Sequence, residues 1–216
     1  GTLSGSGTYG VERYYPENNV STTDYFFHQV SAPVDNQTLG DFDLIHTQSY
    51  AYEYRPITDE WYNIYAPGRL TDLGYGFILS FIQNTVAQTN YFIDDISVGN
   101  HAIGIEANYY NLVGNTYPSP IDWVAIWNDA ANPSLDPTVY IWEASQGTGG
   151  GGNYRAYNAQ TTSGNSSCRY VQVGQAFFVG STGASTVNIN TGHRVHNDQA
   201  YLKTAPVNML KMVTAG

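Results

Sequence analysis

The chain has 216 residues, 42% hydrophobic and 14% aromatic, with 19 tyrosines and 4 tryptophans, enough for one large β domain or two small ones sharing a core. Charged residues make up 12% of it, about half the usual share, and 18 acidic against 8 basic residues leave a net charge of −10. With lysine confined to Lys203 and Lys211, no basic cluster exists to neutralise phosphates, which argues against nucleic acid and anionic membrane surfaces as partners, and no run of about 18 apolar residues exists to cross a bilayer.

Helical periodicity is nearly absent, because apolar residues at i, i+3, i+4 and i+7 are always interrupted by Gly, Pro or β-branched residues. The chain opens on a small, polar, glycine-rich arm, residues 1–10, and Gly1 in place of an initiator Met reads as a processed start. Thr2, Leu3, Tyr9 and Val11 are the arm residues expected to pair with a neighbouring subunit's sheet edge. Val11-Glu-Arg-Tyr-Tyr15 then reads as a strand, and Tyr25-Phe-Phe-His-Gln-Val30 as another. After a loop over 36–43, strand signals recur at Tyr52–Tyr54, Gly76–Phe81, Val139–Trp142, Ala176–Val179, Thr186–Ile189 and Val207–Val213. Gln146-Gly-Thr-Gly-Gly-Gly-Gly152 lacks the following helix and the Lys of a phosphate loop and reads as a flexible hairpin tip.

Three blocks occur twice in the same order. Phe27–Pro33, Tyr52–Tyr54 and Gly74–Ser80 are matched by Tyr110–Pro118, Tyr140–Trp142 and Gly174–Gly180. Each set holds an aromatic strand ending at a Pro turn, an aromatic strand, and an apolar strand started by Gly. The expected fold is therefore an all-β, jelly-roll-like sandwich of two related halves, 11–105 and 106–216. The halves are expected to pack as one domain by burying their apolar faces against each other.

Val11–Tyr15, His28-Gln-Val-Ser-Ala-Pro-Val34, Gly74-Tyr-Gly-Phe77, Tyr110-Asn-Leu-Val-Gly-Asn-Thr-Tyr-Pro-Ser119, Ile121-Asp-Trp123, Gly174–Val179, Arg194-Val-His196 and Asn208–Lys211 resemble a module of Bacteroidota secreted surface proteins. That module usually stands just before a type IX secretion sorting domain. The resemblance runs from about Val11 to Lys211; its most specific string departs at Thr116, where the family has Pro, and at Tyr110, where it has Trp. It implies secretion and surface display and transfers no catalytic residue.

Sets that could carry chemistry are sparse. Cys168 is alone, so no disulfide forms within the chain, and no activating signature surrounds it. Asp94 and Asp95, and Asp59 and Glu60, are adjacent and would point to opposite faces of a strand, unlike a glycosidase pair. Asp122, beside Trp123, reads as a structural turn residue. His28, His46, His101, His193 and His196 are scattered without a zinc pattern. Calcium is the metal that an acidic secreted β protein would hold; Asp94, Asp95 and Asn100, or Asp41 and Asp43, offer oxygens without the spacing of a dedicated loop. No Gly-x-Ser-x-Gly elbow occurs. Asn19, Asn36 and Asn165 head glycosylation triplets of the kind that arise by chance in such a composition.

Aromatic residues offer the other route to function. Trp61, Tyr62, Trp142 and Tyr154, with Tyr65, Trp127 and Tyr157, are candidates for stacking on pyranose rings, or for packing within and between subunits. The expectation is a non-enzymatic extracellular structural or adhesive protein of a bacterial surface, without cofactor, whose partners are itself, neighbouring subunits or glycans. It would self-assemble as a filament or surface-layer subunit, with strand exchange through the arm. The alternative is a carbohydrate-binding module of a larger secreted protein.

Overall fold

The protein is described by a computed structural model over residues 9–15, 25–42, 50–64, 66–82, 88–144, 152–197 and 213–214. Its described part is an all-β sandwich with one short helix. The first half contributes β1 (Tyr9–Tyr15), β2 (Tyr25–Val30), β3 (Gln37–Thr38), β4 (Tyr50–Arg55), β5 (Glu60–Asn63), β6 (Leu70–Thr71), β7 (Phe77–Ile82) and β8 (Gln88–Asp94). The second contributes β9 (His101–Gly104), β10 (Tyr110–Gly114), β11 (Ile121–Asp122), α1 (Trp123–Asn128), β12 (Leu135–Glu143), β13 (Asn153–Asn158), β14 (Ser163–Gly164), β15 (Tyr170–Val171), β16 (Ala176–Ser181) and β17 (Thr186–Ile189). A terminal β18 (Val213–Thr214) returns to β1.

The halves repeat strand for strand. The order β2-β7-β4-β5 recurs as β10-β16-β12-β13, the pairs β1-β8 and β3-β6 recur as β9-β17 and β11-β15, and β14 is an addition to the second copy. Eight antiparallel strands in that order form a jelly roll. Each half is thus a jelly roll in its own right, and the described chain is the all-β sandwich of two related halves that its sequence predicts. β9 pairs with β17, so His101–Gly104 sits with the strands of the second half.

Strand alternation explains why two rolls form. In the first half Val30, Ala51, Phe77 and Leu79 share one face and are closed over by Val11, Phe92, Leu39 and Phe42. Phe42 meets Phe77 and Phe92 edge-on at 4.9 and 4.8 Å. In the second half Val113, Val139, Ile141, Phe177 and Val179 are closed over by Trp123, Ile126, Ile121, Val187 and Ile189. The core-lining faces therefore do not meet across the halves, because each roll supplies its own cover.

What joins the halves is a reciprocal exchange of backbone contacts. Register makes Val30 equivalent to Val113, Ser31 to Gly114, and Tyr75 to Gln175. Val30 bridges Gln175 while Val113 bridges Tyr75, and Ser31 N–H donates to Gly174 O at 3.0 Å while Gly114 N–H donates to Gly74 O at 2.8 Å. Contacts that are mutual in this way mark an isologous interface, a two-fold written into one chain. Gly74 and Gly174 have φ of 81° and 64°, the turn geometry that a glycine adopts without strain in both copies. Ser31 lies so close to Gly114 that a Cβ there would sit 2.3 Å from the Ser31 Cβ.

Two local expectations change. Ile121-Asp-Trp123 does not end in a simple turn: Asp122 caps α1 by accepting the Val124 N–H at 2.9 Å, and Trp123 and Ile126 are buried beneath it. Six residues are too few to show helical periodicity. Tyr9 and Val11 are not free arm residues either. Both lie in β1, where Tyr9 pairs with Asp94 on one side and Thr214 on the other, and Val11 is fully buried in the first core. Thr2 and Leu3, and most of the expected last strand over 207–213, lie outside the described residues.

Candidate binding face

Alternation leaves each large sheet a second face, and these faces turn toward each other, with β2 near β12 and β4 near β10. On the first sheet this face carries Gln29, Tyr52, Tyr54, Trp61 and Ile78. On the second it carries Leu112, Tyr140, Trp142, Tyr154 and Phe178. Tyr54 pairs with Trp61 across β4 and β5, and Trp142 pairs with Tyr154 at the equivalent register of β12 and β13. The duplication has thus placed a cross-strand aromatic pair in each half.

The two pairs converge on Phe178. Its ring is 4.8 Å from Tyr54, 6.1 Å from Trp61 and 5.7 Å from Tyr154, each edge-on. The pairs themselves sit at 5.3 Å (Tyr54 and Trp61) and 5.0 Å (Trp142 and Tyr154). Phe178 is buried at 8% exposure, whereas Trp61 and Tyr154 remain 39% and 43% exposed. The result is an aromatic band that spans both halves, closed at its centre and open at Trp61 and Tyr154.

Polar groups line this band. The Tyr54 hydroxyl donates to Asp59 Oδ1 at 2.7 Å, and Gln29 Nε2 donates to the Tyr154 hydroxyl at 2.9 Å. Burial pushes the Tyr154 phenol up to about 12, so it stays protonated at neutral pH. Gln29 Oε1 and Trp142 Nε1 are buried with no hydrogen-bond partner among the described residues, an uncommon state for interior polar atoms.

Of the residues proposed from sequence, Trp61, Trp142 and Tyr154 come together here. Tyr62 does not: it follows Trp61 in β5 and points to the opposite face, where the Arg55 guanidinium stacks 3.6 Å from its ring centre. Tyr157 is a core residue, and Trp127 packs on the second core with its indole N–H donating to Leu135 O at 3.3 Å. Tyr65 lies outside the described residues. Sequence reasoning missed Tyr54, Phe178 and Gln29. The cross-strand register that assembles them has no counterpart in linear spacing, although Phe177-Phe178 on one strand does require one ring on each face.

The remaining candidates serve the fold. Asp122 accepts two bonds from Arg169, at 2.9 and 2.7 Å, in addition to capping α1. Burial raises the Cys168 thiol to about 12, leaving it protonated and unreactive at neutral pH. His193 Nδ1 accepts the Asn190 N–H at 3.1 Å, which leaves Nε2 to carry the proton toward Asp129 Oδ2 at 3.0 Å. Ser97 and His101 are hydrogen-bonded, but Ser97 is 5% exposed, which leaves its hydroxyl little access to a substrate. Burial would raise the Glu53 carboxyl, yet the Tyr75 hydroxyl and Arg69, each 2.6 Å away, hold it below the ordinary carboxylate range.

For calcium, Asp41 is committed to Thr38, Asp94 to the Asp95 N–H and Asn100 to the Thr191 N–H, while Asp43 lies outside the described residues. No group of three or more His, Cys, Asp or Glu that could hold a metal occurs among the described residues. Asn165 caps a 3₁₀ turn over Ser166–Arg169, and Asn36 occupies a left-handed turn position with φ of 51°. β12 and β13 pair as far as Glu143 with Asn153, and the glycine-rich run expected as a hairpin tip lies, up to residue 151, outside the described residues.

Searches of curated proteins and of solved structures match nothing. Residues 2–212 match the family model described as a domain of unknown function, DUF8693, and the chain belongs to that family.

Proposed function

We propose that the chain is a non-enzymatic, extracellular structural or adhesive surface protein that works by contact through the aromatic band. The observation that carries this reading is the pairing of Tyr54 with Trp61 and of Trp142 with Tyr154 around Phe178, with rings left open at both ends. Half-open aromatic rings on a chain with so little charge are adhesive surfaces, because desolvating them costs little and buries large area. Secretion and display at a bacterial surface, by a type IX route, are supported by the family resemblance of Val11–Lys211.

The test displays the full chain on cells and measures attachment to surfaces and neighbouring cells, with light scattering and negative-stain microscopy of the purified protein. Attachment or ordered assembly that falls in a Trp61→Ala, Tyr154→Ala double variant supports the reading. A protein that stays monomeric and attaches to nothing overturns it. Removing residues 1–8 leaves β1 intact from Tyr9, so assembly lost in that truncation assigns strand exchange to the arm, and assembly unchanged removes the arm from the mechanism.

A further inference from the structure

We infer that the aromatic band is a binding subsite for an uncharged pyranose chain, an inference that rests on the contact reading above. Three features converge. First, Trp61 and Tyr154 are half-open and both touch the same Phe178 ring, at 6.1 and 5.7 Å. One short saccharide could therefore lay its C–H faces against both, a contact suited to flat, electron-rich rings.

Second, the polar atoms beside Tyr154 are left wanting partners. Gln29 is 4% exposed and its Nε2 reaches the Tyr154 hydroxyl, yet its Oε1 has no partner among the described residues. Turning the amide round exchanges which atom is unpaired without satisfying both. Trp142 Nε1, on the ring packed against Tyr154, is also unpartnered. An orphaned acceptor and an orphaned donor flanking one aromatic ring match a ligand that presents hydroxyls, which both donate and accept.

Third, charge selects among sugars. The ionised group hydrogen-bonded to the band is the Asp59 carboxylate, through Tyr54, a second carboxylate, Asp136, acts on Tyr140 of the same face, and the whole chain carries −10. Uronic or sulfated chains would be repelled, and neutral ones would not.

Native affinity electrophoresis of the full chain tests this in gels containing hydroxyethylcellulose, galactomannan, yeast mannan or dextran, with alginate as the anionic probe. At least one neutral polymer is expected to retard the protein, with little dependence on salt because no ion pair is involved. Trp61→Ala and Tyr154→Ala should each weaken that retention by about tenfold or more, as truncating a central aromatic contact does. Tyr154→Phe, which keeps the ring and removes the hydroxyl, guards against loss through misfolding and should weaken it less. Tyr62→Ala, on the opposite face, should leave it unchanged.

Retardation by alginate alone, or retention of a neutral polymer that survives in the Trp61→Ala, Tyr154→Ala double variant, overturns the inference. No retardation by any neutral polymer also overturns it, while attachment or assembly that still falls in the double variant leaves the contact reading standing. Loss of both removes both.

Discussion

Asp122 shows how much one side chain is asked to do: it caps α1, ion-pairs with Arg169 and is almost fully buried. Asp122→Ala should cost about 2–4 kcal/mol, a cap plus an orphaned guanidinium. Arg169→Ala leaves the buried Asp122 carboxylate without its counter-ion but keeps the Val124 cap, and should cost less, about 1–3 kcal/mol. Urea denaturation of both variants checks the ranking, and equal losses would show that the cap contributes nothing. His193 sets a pH dependence. Burial holds its pKa below the ordinary histidine value, against the opposing pull of Asp129. The unfolded chain therefore takes up a proton that the folded chain refuses. Stability is full above the unfolded pKa of about 6.5 and is lost as pH falls through it toward the folded value. His101, lowered by burial and opposed by Asp35, adds in the same direction. The urea midpoint should drop between about pH 7.5 and about pH 5.5, and the drop should shrink in His193→Gln. A midpoint that is flat over that range refutes the assignment.

At the scale of elements, the duplication was legible because it rests on what a strand pair needs locally: an aromatic run, a Pro turn, a Gly start. Gly74 and Gly174 stood in the sequence as matched block starts, and they are the two left-handed turns that accept each other's strand ends. The jelly-roll order inside each half was not legible, because β3, β6, β11 and β15 are two residues long and too short to show alternation. The band was half legible: Trp61, Trp142 and Tyr154 could be named by type, but Phe178 and Tyr54 join them only through cross-strand register. The meeting of Ser31 and Gly114 gives this scale its prediction. A side chain at 114 would collide with Ser31 Cβ and press on Tyr75 O, 3.1 Å away, so Gly114→Ala should cost about 1–3 kcal/mol. Adding Ser31→Gly opens the equivalent position and should recover most of that loss. Thermal denaturation of the three variants measures the coupling; additive effects would mean that the two positions do not share one space.

Across the whole molecule, two cores that close independently would by themselves allow each half to melt alone. Three features oppose this: the exchanged bridges, Val173 of the second half packed into the first core, and Phe178 seated against Tyr54 and Trp61 of the other half. Each ties the fate of one roll to the other, because breaking the junction exposes Phe178 and leaves the strand-end N–H groups of Ser31 and Gly114 without partners. The intact protein should therefore melt in a single calorimetric transition. Phe178→Ala removes the ring that both aromatic pairs lean on while leaving each core whole, since Phe178 points away from Phe177 and Val179. It should lower stability by about 3–4 kcal/mol, in the range of buried Phe truncations, and broaden or split the transition. Leu79→Ala, inside the first core, should lower the midpoint by a similar amount with the single transition preserved. If Phe178→Ala still melts in one sharp step, the backbone exchange and Val173 suffice to couple the halves, and the aromatic band is free to serve a partner without holding the molecule together.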